Sequence, residues 1–186
     1  MFEDSFSGKK VLITGNTGFK GSWLSVWLLD LGADVYGISN GIPTNPSMFH
    51  ELNIRERIKY FEEDVRDYKK MSEIISQVRP DFLFHLAAQP IVVKSYVDPM
   101  ETISTNVIGT ANVLEALRQS NHHCVAVIIT SDKCYSNSEW VWGYKETDTL
   151  GGKDIYSGSK GAAEIMVTDT GDEVDAGFEQ DPIFTV

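Results

Sequence analysis

The sequence predicts an α/β fold, a doubly wound parallel sheet of Rossmann-like type that is incomplete at its C-terminal end. Three observations lead there. Short, fully apolar runs recur along the chain, helical periods of apolar residues separate them, and the first run enters a turn with glycines three residues apart. Apolar strands alternating with amphipathic helices pair in parallel, because each crossover helix covers one face of the sheet.

Val11, Leu12 and Ile13 read as the first strand, buried on both faces. From Ser22 onward Trp23, Leu24, Trp27, Leu28 and Leu31 recur at helical spacing. Between them stand Gly15, Gly18 and Gly21, which allow a tight turn and a close approach of backbone to an anion. The helix start adds exposed N-H groups and its dipole, so Gly15, Asn16, Thr17, Gly18, Phe19, Lys20 and Gly21 are expected to cradle the pyrophosphate of a dinucleotide.

Gly32-Ala33 ends that helix, and Asp34 to Ser39 reads as the second strand. The acidic residue that commonly ends this strand and accepts bonds from the adenosine ribose is absent. Ser39 or Asn40 can bond the ribose hydroxyls without charge, a pattern open to NAD and NADP alike. Ile58 to Glu62 is a short third strand, after which Asp64 and Val65 are placed against the adenine, with Asp64 accepting from its amine. The alternative makes Asp64 a surface charge and Asp67 a helix N-cap.

Met71, Ile74, Ile75 and Val78 carry the next helix, which Arg79-Pro80 stops. Asp81 to Gln89 holds the fourth strand and a run of small residues, and Leu86, Ala87, Ala88 and Gln89 are expected to line the far side of the cofactor. A long helix is expected from Asp98 to Ser120, with Asn106 within it either as a satisfied structural amide or as a site residue. Cys124 to Thr130 is the fifth strand, and Thr130, Ser131, Asp132 and Lys133 emerge at its C-terminal end, where ligands bind in such sheets. Further on, Tyr156 and Lys160 stand one helical turn apart. A phenol of ordinary pKa near ~10 acts as a base at neutral pH only if cations favour the phenolate, and Lys160 with an oxidised nicotinamide would supply them.

These stretches together resemble the CDP-glucose 4,6-dehydratases, in the extended branch of the short-chain dehydrogenase/reductase superfamily. The resemblance rests on Thr14-Gly15-Asn16-Thr17-Gly18-Phe19-Lys20-Gly21-Ser22-Trp23-Leu24, His85-Leu86-Ala87-Ala88-Gln89-Pro90, Thr130-Ser131-Asp132-Lys133-Cys134-Tyr135, Trp140-Val141-Trp142-Gly143-Tyr144 and Tyr156-Ser157 with Ser159-Lys160, and runs from about Lys9 to Glu164. It implies NAD as the cofactor, a nucleotide sugar as the substrate, and conversion of CDP-glucose to the 4-keto-6-deoxy sugar with the hydride returned within the site. It implies Tyr156 as base aided by Ser131, Lys133 as the base for the C5 proton, Asp132 as the acid for the leaving C6 hydroxyl, and Lys160 on the nicotinamide ribose. The family pattern has histidine where Asn16 stands, and an arginine where Val93 stands before Lys94. Two other outcomes are an NAD-binding remnant or partner subunit without catalysis, and a sugar-nucleotide 4-epimerase. The second would need no acid-base pair for C5 and C6.

Apolar and charged contents of 42% and 23% suit an ordinary globular domain. A net charge of -11 argues against nucleic acid or an anionic membrane surface as partner. The N-terminus lacks a basic start and apolar core, so a cytoplasmic protein is expected. No apolar run approaches the ~20 residues of a membrane span. Cys124 and Cys134 make no disulfide framework, and His122-His123 lacks ligand spacing, so no metal is expected.

In such a fold the helix from Tyr156 would continue to a sixth strand and a substrate domain, but here the helical pattern is expected to break within Val167 to Asp175 and neither is expected. The division is thus a cofactor domain over residues 1–168 and an acidic tail over 169–186. The resemblance implies homodimers packed through the helix around Asn106 and the helix from Tyr156, with association expected to weaken where the latter is cut short.

Overall fold

A computed structural model of the chain describes residues 4–173 and 183–185. Among the described residues are six strands, β1 (Lys10–Thr14), β2 (Asp34–Ile38), β3 (Lys59–Phe61), β4 (Phe82–His85), β5 (Val125–Ile128) and β6 (Ile183–Thr185). They form one all-parallel sheet in the order β3-β2-β1-β4-β5-β6. The order reverses between β1 and β4, and the reversal leaves a crevice beyond their C-terminal ends. There Thr14 and His85 are register partners.

Alternation along the strands splits the core into two layers. Val11, Ile13 and Val35 face α1 (Phe19–Asp30), meeting Leu28 and Ala33. Leu12, Tyr36, Ile38, Leu83, Ala126 and Ile128 face the other way, onto α4 (Tyr68–Val78) and α7 (Gly109–Gln119). Ile74, Ile75 and Val78 of α4, with Val113, Leu114 and Leu117 of α7, fill that second layer at helical spacing. Full burial of each such side chain contributes roughly 1.5–3 kcal/mol, which is why the apolar periods predicted these elements. Two short helices, α2 (Met48–Glu51) and α3 (Ile54–Arg57), lie between β2 and β3 and seat Phe49 and Ile54 in the interior. They are too short to leave a helical period in the sequence.

The helix expected over Asp98 to Ser120 forms in three pieces. After α5 (Val92–Val97), α6 (Pro99–Ile103) runs into a π-turn at Ser104–Ile108 and then into α7. Asp98 caps α6 through Glu101 N at 2.9 Å, and Asp67 caps α4 through Lys70 N at 3.1 Å. The cap assigned to Asp67 in one reading of the sequence is therefore present.

The break expected after Val167 is absent. The last helix, α8 (Ile155–Glu173), continues to Glu173. Threonine and aspartate cost only a few tenths of a kcal/mol each in a helix, and even Gly171 costs about 1 kcal/mol, so a helix anchored by Tyr156, Ala163 and Val167 runs through them. A sixth strand also exists, because Ile183–Thr185 pairs with Ala126–Ile128 of β5. Three residues are too few to show periodicity. The middle of the expected acidic tail, residues 174–182, lies outside the described residues. No described helix is long and apolar enough to cross a membrane.

Candidate active site

The phosphate turn is built at the end of β1. Gly15 has φ +72°, and a Cβ there would lie 2.7 Å from Ala87 N. Gly21 lets α1 close onto the turn, since a Cβ would fall 2.2 Å from the Gly15 carbonyl oxygen. Both positions therefore require glycine. Gly18 is the N-cap of α1, no side chain caps the helix, and its first turn carries no acid. The leading N-H groups and the positive end of the helix dipole are thus presented to the crevice, a fit for the pyrophosphate of a dinucleotide.

The structure divides the residues expected at this turn by what their side chains do. Phe19 and Lys20 are exposed. Asn16 is fully buried, and its Oδ1 accepts from Ser39 Oγ at 2.9 Å while Nδ2 has no partner among the described residues. Thr17 is buried and its hydroxyl donates to the Gly41 carbonyl at 2.7 Å. Both side chains bind the turn to the end of β2, so what they can offer an anion is backbone.

Across the crevice, the segment after β4 is held by a chain of buried hydrogen bonds. Ala87 N donates to Thr14 Oγ1 at 3.2 Å, and Thr14 Oγ1 meets His85 Nδ1 at 2.7 Å. On its other side His85 Nε2 meets Thr110 Oγ1 at 3.1 Å, and that hydroxyl donates to the Asn106 carbonyl at 2.7 Å. Since Thr110 gives its proton to Asn106, Nε2 carries the ring proton and Nδ1 accepts from Thr14. Burial holds His85 neutral, its pKa pushed down to about 3, with Lys160 adding repulsion. The sequence signal for this hub is a lone histidine ending an apolar strand at the switch point, which sequence reasoning used only for resemblance.

Asn106 has a full set of partners within the π-turn. Its Oδ1 accepts from Gln89 N at 2.8 Å, and Nδ2 donates to the Gln89 carbonyl at 3.2 Å and to Ser159 Oγ at 3.0 Å. It is a satisfied structural amide that ties the wall after β4 to α8. Gln89 is turned inward as well, its amide committed to Ile91 and Thr102. Leu86, Ala87 and Ala88 remain half-buried along the wall. Val65 is buried, packed where a Cβ on Gly109 would fall 2.7 Å from it, and its carbonyl accepts from Asn112 Nδ2 at 2.9 Å.

Asp64 is not the simple surface charge of the alternative reading. Arg66 donates to it from the backbone at 2.9 Å and from Nε at 2.9 and 3.0 Å, and Asn40 Nδ2 donates at 3.0 Å. The Arg66 bonds hold the carboxyl down at about pKa 2. Arg66 was missed in the sequence, where it reads as one more surface cation two residues on.

The end of β5 brings the remaining residues together. Thr130 is half-buried, and Ser131 caps a short turn at Asp132–Cys134, accepting from Lys133 N at 3.2 Å and donating to Asp132 Oδ1 at 3.0 Å. Asp132 and Lys133 are exposed. Tyr156 and Lys160 are buried on α8. Burial raises the Tyr156 phenol above its ordinary pKa, a hydrogen bond to Ser131 draws it back, and Asp132 and Asp154 raise it further. The expected lowering by Lys160 is not seen. The Lys160 ammonium turns instead to the Ile129 carbonyl at 3.4 Å, and burial, with Lys20 nearby, brings its pKa down to about 8. Asp154 accepts from Ser157 N and Oγ at 2.9 and 2.7 Å and feels Lys133, which sets the start of α8 beside the turn. Lys94, the nearest cation to the missing arginine, is spent on Glu101 at 2.7 Å.

Comparison with known proteins places this arrangement among nucleotide-sugar enzymes. Residues 12–176 match the family described as GDP-mannose 4,6 dehydratase. The chain is 47% identical over 169 residues to CDP-glucose 4,6-dehydratase of Salmonella typhimurium, covering 90% of this chain and 47% of that protein. It is 34% identical over 144 residues to CDP-paratose 2-epimerase of Salmonella typhi, covering 75% of this chain and 41% of that protein. The fold matches UDP-glucose 4-epimerase of Thermus thermophilus in complex with NAD with a TM-score of 0.79 and 26% identity, over 94% of this chain and 53% of that one. The chain spans about half the length of the curated relatives it matches.

Proposed function

The chain belongs to the GDP-mannose 4,6 dehydratase family, and from that premise we propose that it carries the cofactor-binding and proton-handling part of a CDP-glucose 4,6-dehydratase that uses NAD. The observation that carries the reading is that the uncapped start of α1 follows β1 and the Ser131, Asp132 and Lys133 turn follows β5, both at the C-terminal ends of parallel strands, with Lys20 of the first near enough to Lys160 to lower its pKa. The 47% identity to a CDP-glucose 4,6-dehydratase supports the substrate, and the NAD complex of the Thermus fold relative supports the cofactor.

The residues present fit a dinucleotide. Gly15 to Gly21 would hold its pyrophosphate, Asp64 and Val65 its adenine end, Leu86 to Gln89 its far side, and Thr130, Tyr156 and Lys160 its nicotinamide end. When bound, the nicotinamide would supply a hydride acceptor for C4-H and, once reduced, the hydride that saturates C6 after water leaves. Tyr156 takes the proton of the sugar's C4 hydroxyl, with Ser131 hydrogen-bonded to the phenol. The 4-ketone acidifies the neighbouring C5-H, Lys133 removes that proton, and Asp132 protonates the C6 hydroxyl as water leaves. Asp132 and Lys133 suit those tasks by position, both exposed on the turn that Ser131 caps.

Incubation of the purified chain with CDP-glucose and NAD tests the reading. Formation of the 4-keto-6-deoxy sugar, with C6 oxygen lost to water, is expected of a dehydratase. NAD binding without product supports instead a subunit that holds cofactor without catalysis. A C4 epimer with C6 oxygen retained would make the chain an epimerase.

A further inference from the structure

We propose that His85 is a positioning residue for the dinucleotide, which acts through Thr14 and Thr110 to set the wall after β4 against the half of the ligand that lies beyond the pyrophosphate. The inference rests on the dinucleotide reading of the phosphate turn and deepens it. The wall, Leu86 to Gln89, follows β4, which stands on the side of β1 opposite β2 and β3. It therefore serves the half of the ligand away from the adenine end at Asp64 and Val65.

The wall is clamped at two points, and His85 joins the clamps. At the first, Ala87 N donates to Thr14 Oγ1 at 3.2 Å. At the second, Gln89 exchanges backbone bonds of 2.8 and 3.2 Å with the Asn106 side chain. One ring nitrogen of His85 meets Thr14 Oγ1 at 2.7 Å, and the other meets Thr110 Oγ1 at 3.1 Å, whose proton goes to the Asn106 carbonyl at 2.7 Å. The His85 backbone adds a third tie. Its carbonyl accepts from Ile129 N at 3.0 Å, and the Ile129 carbonyl accepts from the Lys160 ammonium at 3.4 Å.

The direction of the protons makes the imidazole hard to replace. Thr110 gives its proton to Asn106, so the ring donates to it from Nε2 and accepts at Nδ1. Thr14 then spends its one proton on Nδ1 and turns lone pairs towards Ala87, which is what an N-H requires. Thr14, His85 and Thr110 are 1%, 2% and 3% exposed, so these bonds are closed to bulk water. A phenyl ring in the same place fills the volume but leaves Thr14 without its acceptor and Thr110 without its donor. Thr14 Oγ1 then turns to another acceptor and Ala87 N loses its hold. The wall has no slack to absorb the change on the β1 side, since a Cβ on Gly15 would lie 2.7 Å from Ala87 N and 2.9 Å from the Leu86 carbonyl carbon.

Calorimetric titration of the full chain with NAD and with ADP, which ends at the phosphates, tests the role. His85→Phe and Thr14→Val are each expected to lose about tenfold in affinity for NAD and less than about threefold for ADP, and the double variant no more than the larger single loss. Thr14→Ser keeps the hydroxyl and is expected to restore the NAD affinity. Equal loss of NAD and ADP, as a purely structural role would give, or unchanged NAD affinity in both single variants, overturns the proposal and leaves the dinucleotide site standing. Nitrogen-15 NMR of the wild-type histidine rings, with His85 assigned by the signal missing in His85→Gln, needs no destabilised variant to bind. It should show the neutral Nε2-H form, with ring signals that NAD shifts and ADP does not. An Nδ1-H form, or equal shifts with both ligands, overturns the proposal as well. Binding of neither ligand by the wild type overturns the site and the proposal together.

Discussion

The two ends of the crevice are built on opposite principles. At the β1 end, the polar side chains of the phosphate turn are inside, Thr14, Asn16, Thr17 and Ser22 all buried, so apart from the exposed Phe19 and Lys20 the turn presents backbone. At the β5 end, Asp132 and Lys133 are exposed on a three-residue turn, and the loop beyond displays Trp140, Val141 and Trp142. The first end offers mainly backbone and shape, whereas the second offers exposed side chains whose removal costs the fold little.

That contrast is breakable. The largest effect is expected from Tyr156→Phe in a turnover assay of the 4,6-dehydration: a loss of roughly 10²–10⁴-fold, with NAD affinity kept and stability lowered by only about 1 kcal/mol for the hydroxyl bonded to Ser131. A comparable loss of NAD binding would mean that the phenol acts mainly by holding the nicotinamide end and not by moving the proton. Gly15→Ala should do the reverse. Its left-handed backbone and the 2.7 Å approach to Ala87 N predict a cost of at least about 2 kcal/mol in chemical unfolding and loss of NAD binding. A stable variant that binds normally would break the claim that this end works by shape.

His85 sharpens the comparison through pH. Its folded pKa, depressed to about 3 from 6.5, means that below pH 6.5 the unfolded chain binds a proton that the folded one does not. Its contribution to stability is full above pH 6.5 and is lost as pH falls towards 3, so a His85→Gln variant should show a flatter acid limb in thermal denaturation. Lys160 acts at the alkaline side, because its folded pKa is lowered to about 8 from 10.5. The cost of burying the ammonium is full below pH 8 and is relieved as pH rises to 10.5. A Lys160→Met variant should therefore lose its stability advantage over the wild type across that window. The smallest effect belongs to the exposed loop, where Trp142→Ser should shift unfolding by no more than about 0.5 kcal/mol.

Much of this was legible in the sequence because it rests on local physics. Apolar runs and helical periods fixed five strands and the main helices, and the Gly15, Gly18 and Gly21 spacing located the phosphate turn, since these follow from which residues can be buried or can bend. What stayed hidden depended on partners distant in the chain. The His85 hub joins Thr14 to Thr110, Asn106 joins Gln89 to Ser159, and the continuation of α8 past Val167 contradicts local propensity.

By itself, then, the sequence determined the alternation of elements, the glycine turn and the residue types available at the end of β5. Tertiary structure decided which of them meet. Asp64 follows β3 but reaches the end of β2, the Lys160 ammonium faces Ile129 rather than the phenol, and Ile183–Thr185 finds the edge of β5. The reason is that burial and backbone conformation are properties of a segment, whereas a hydrogen bond or an ion pair is a property of two segments that only the packed sheet brings together.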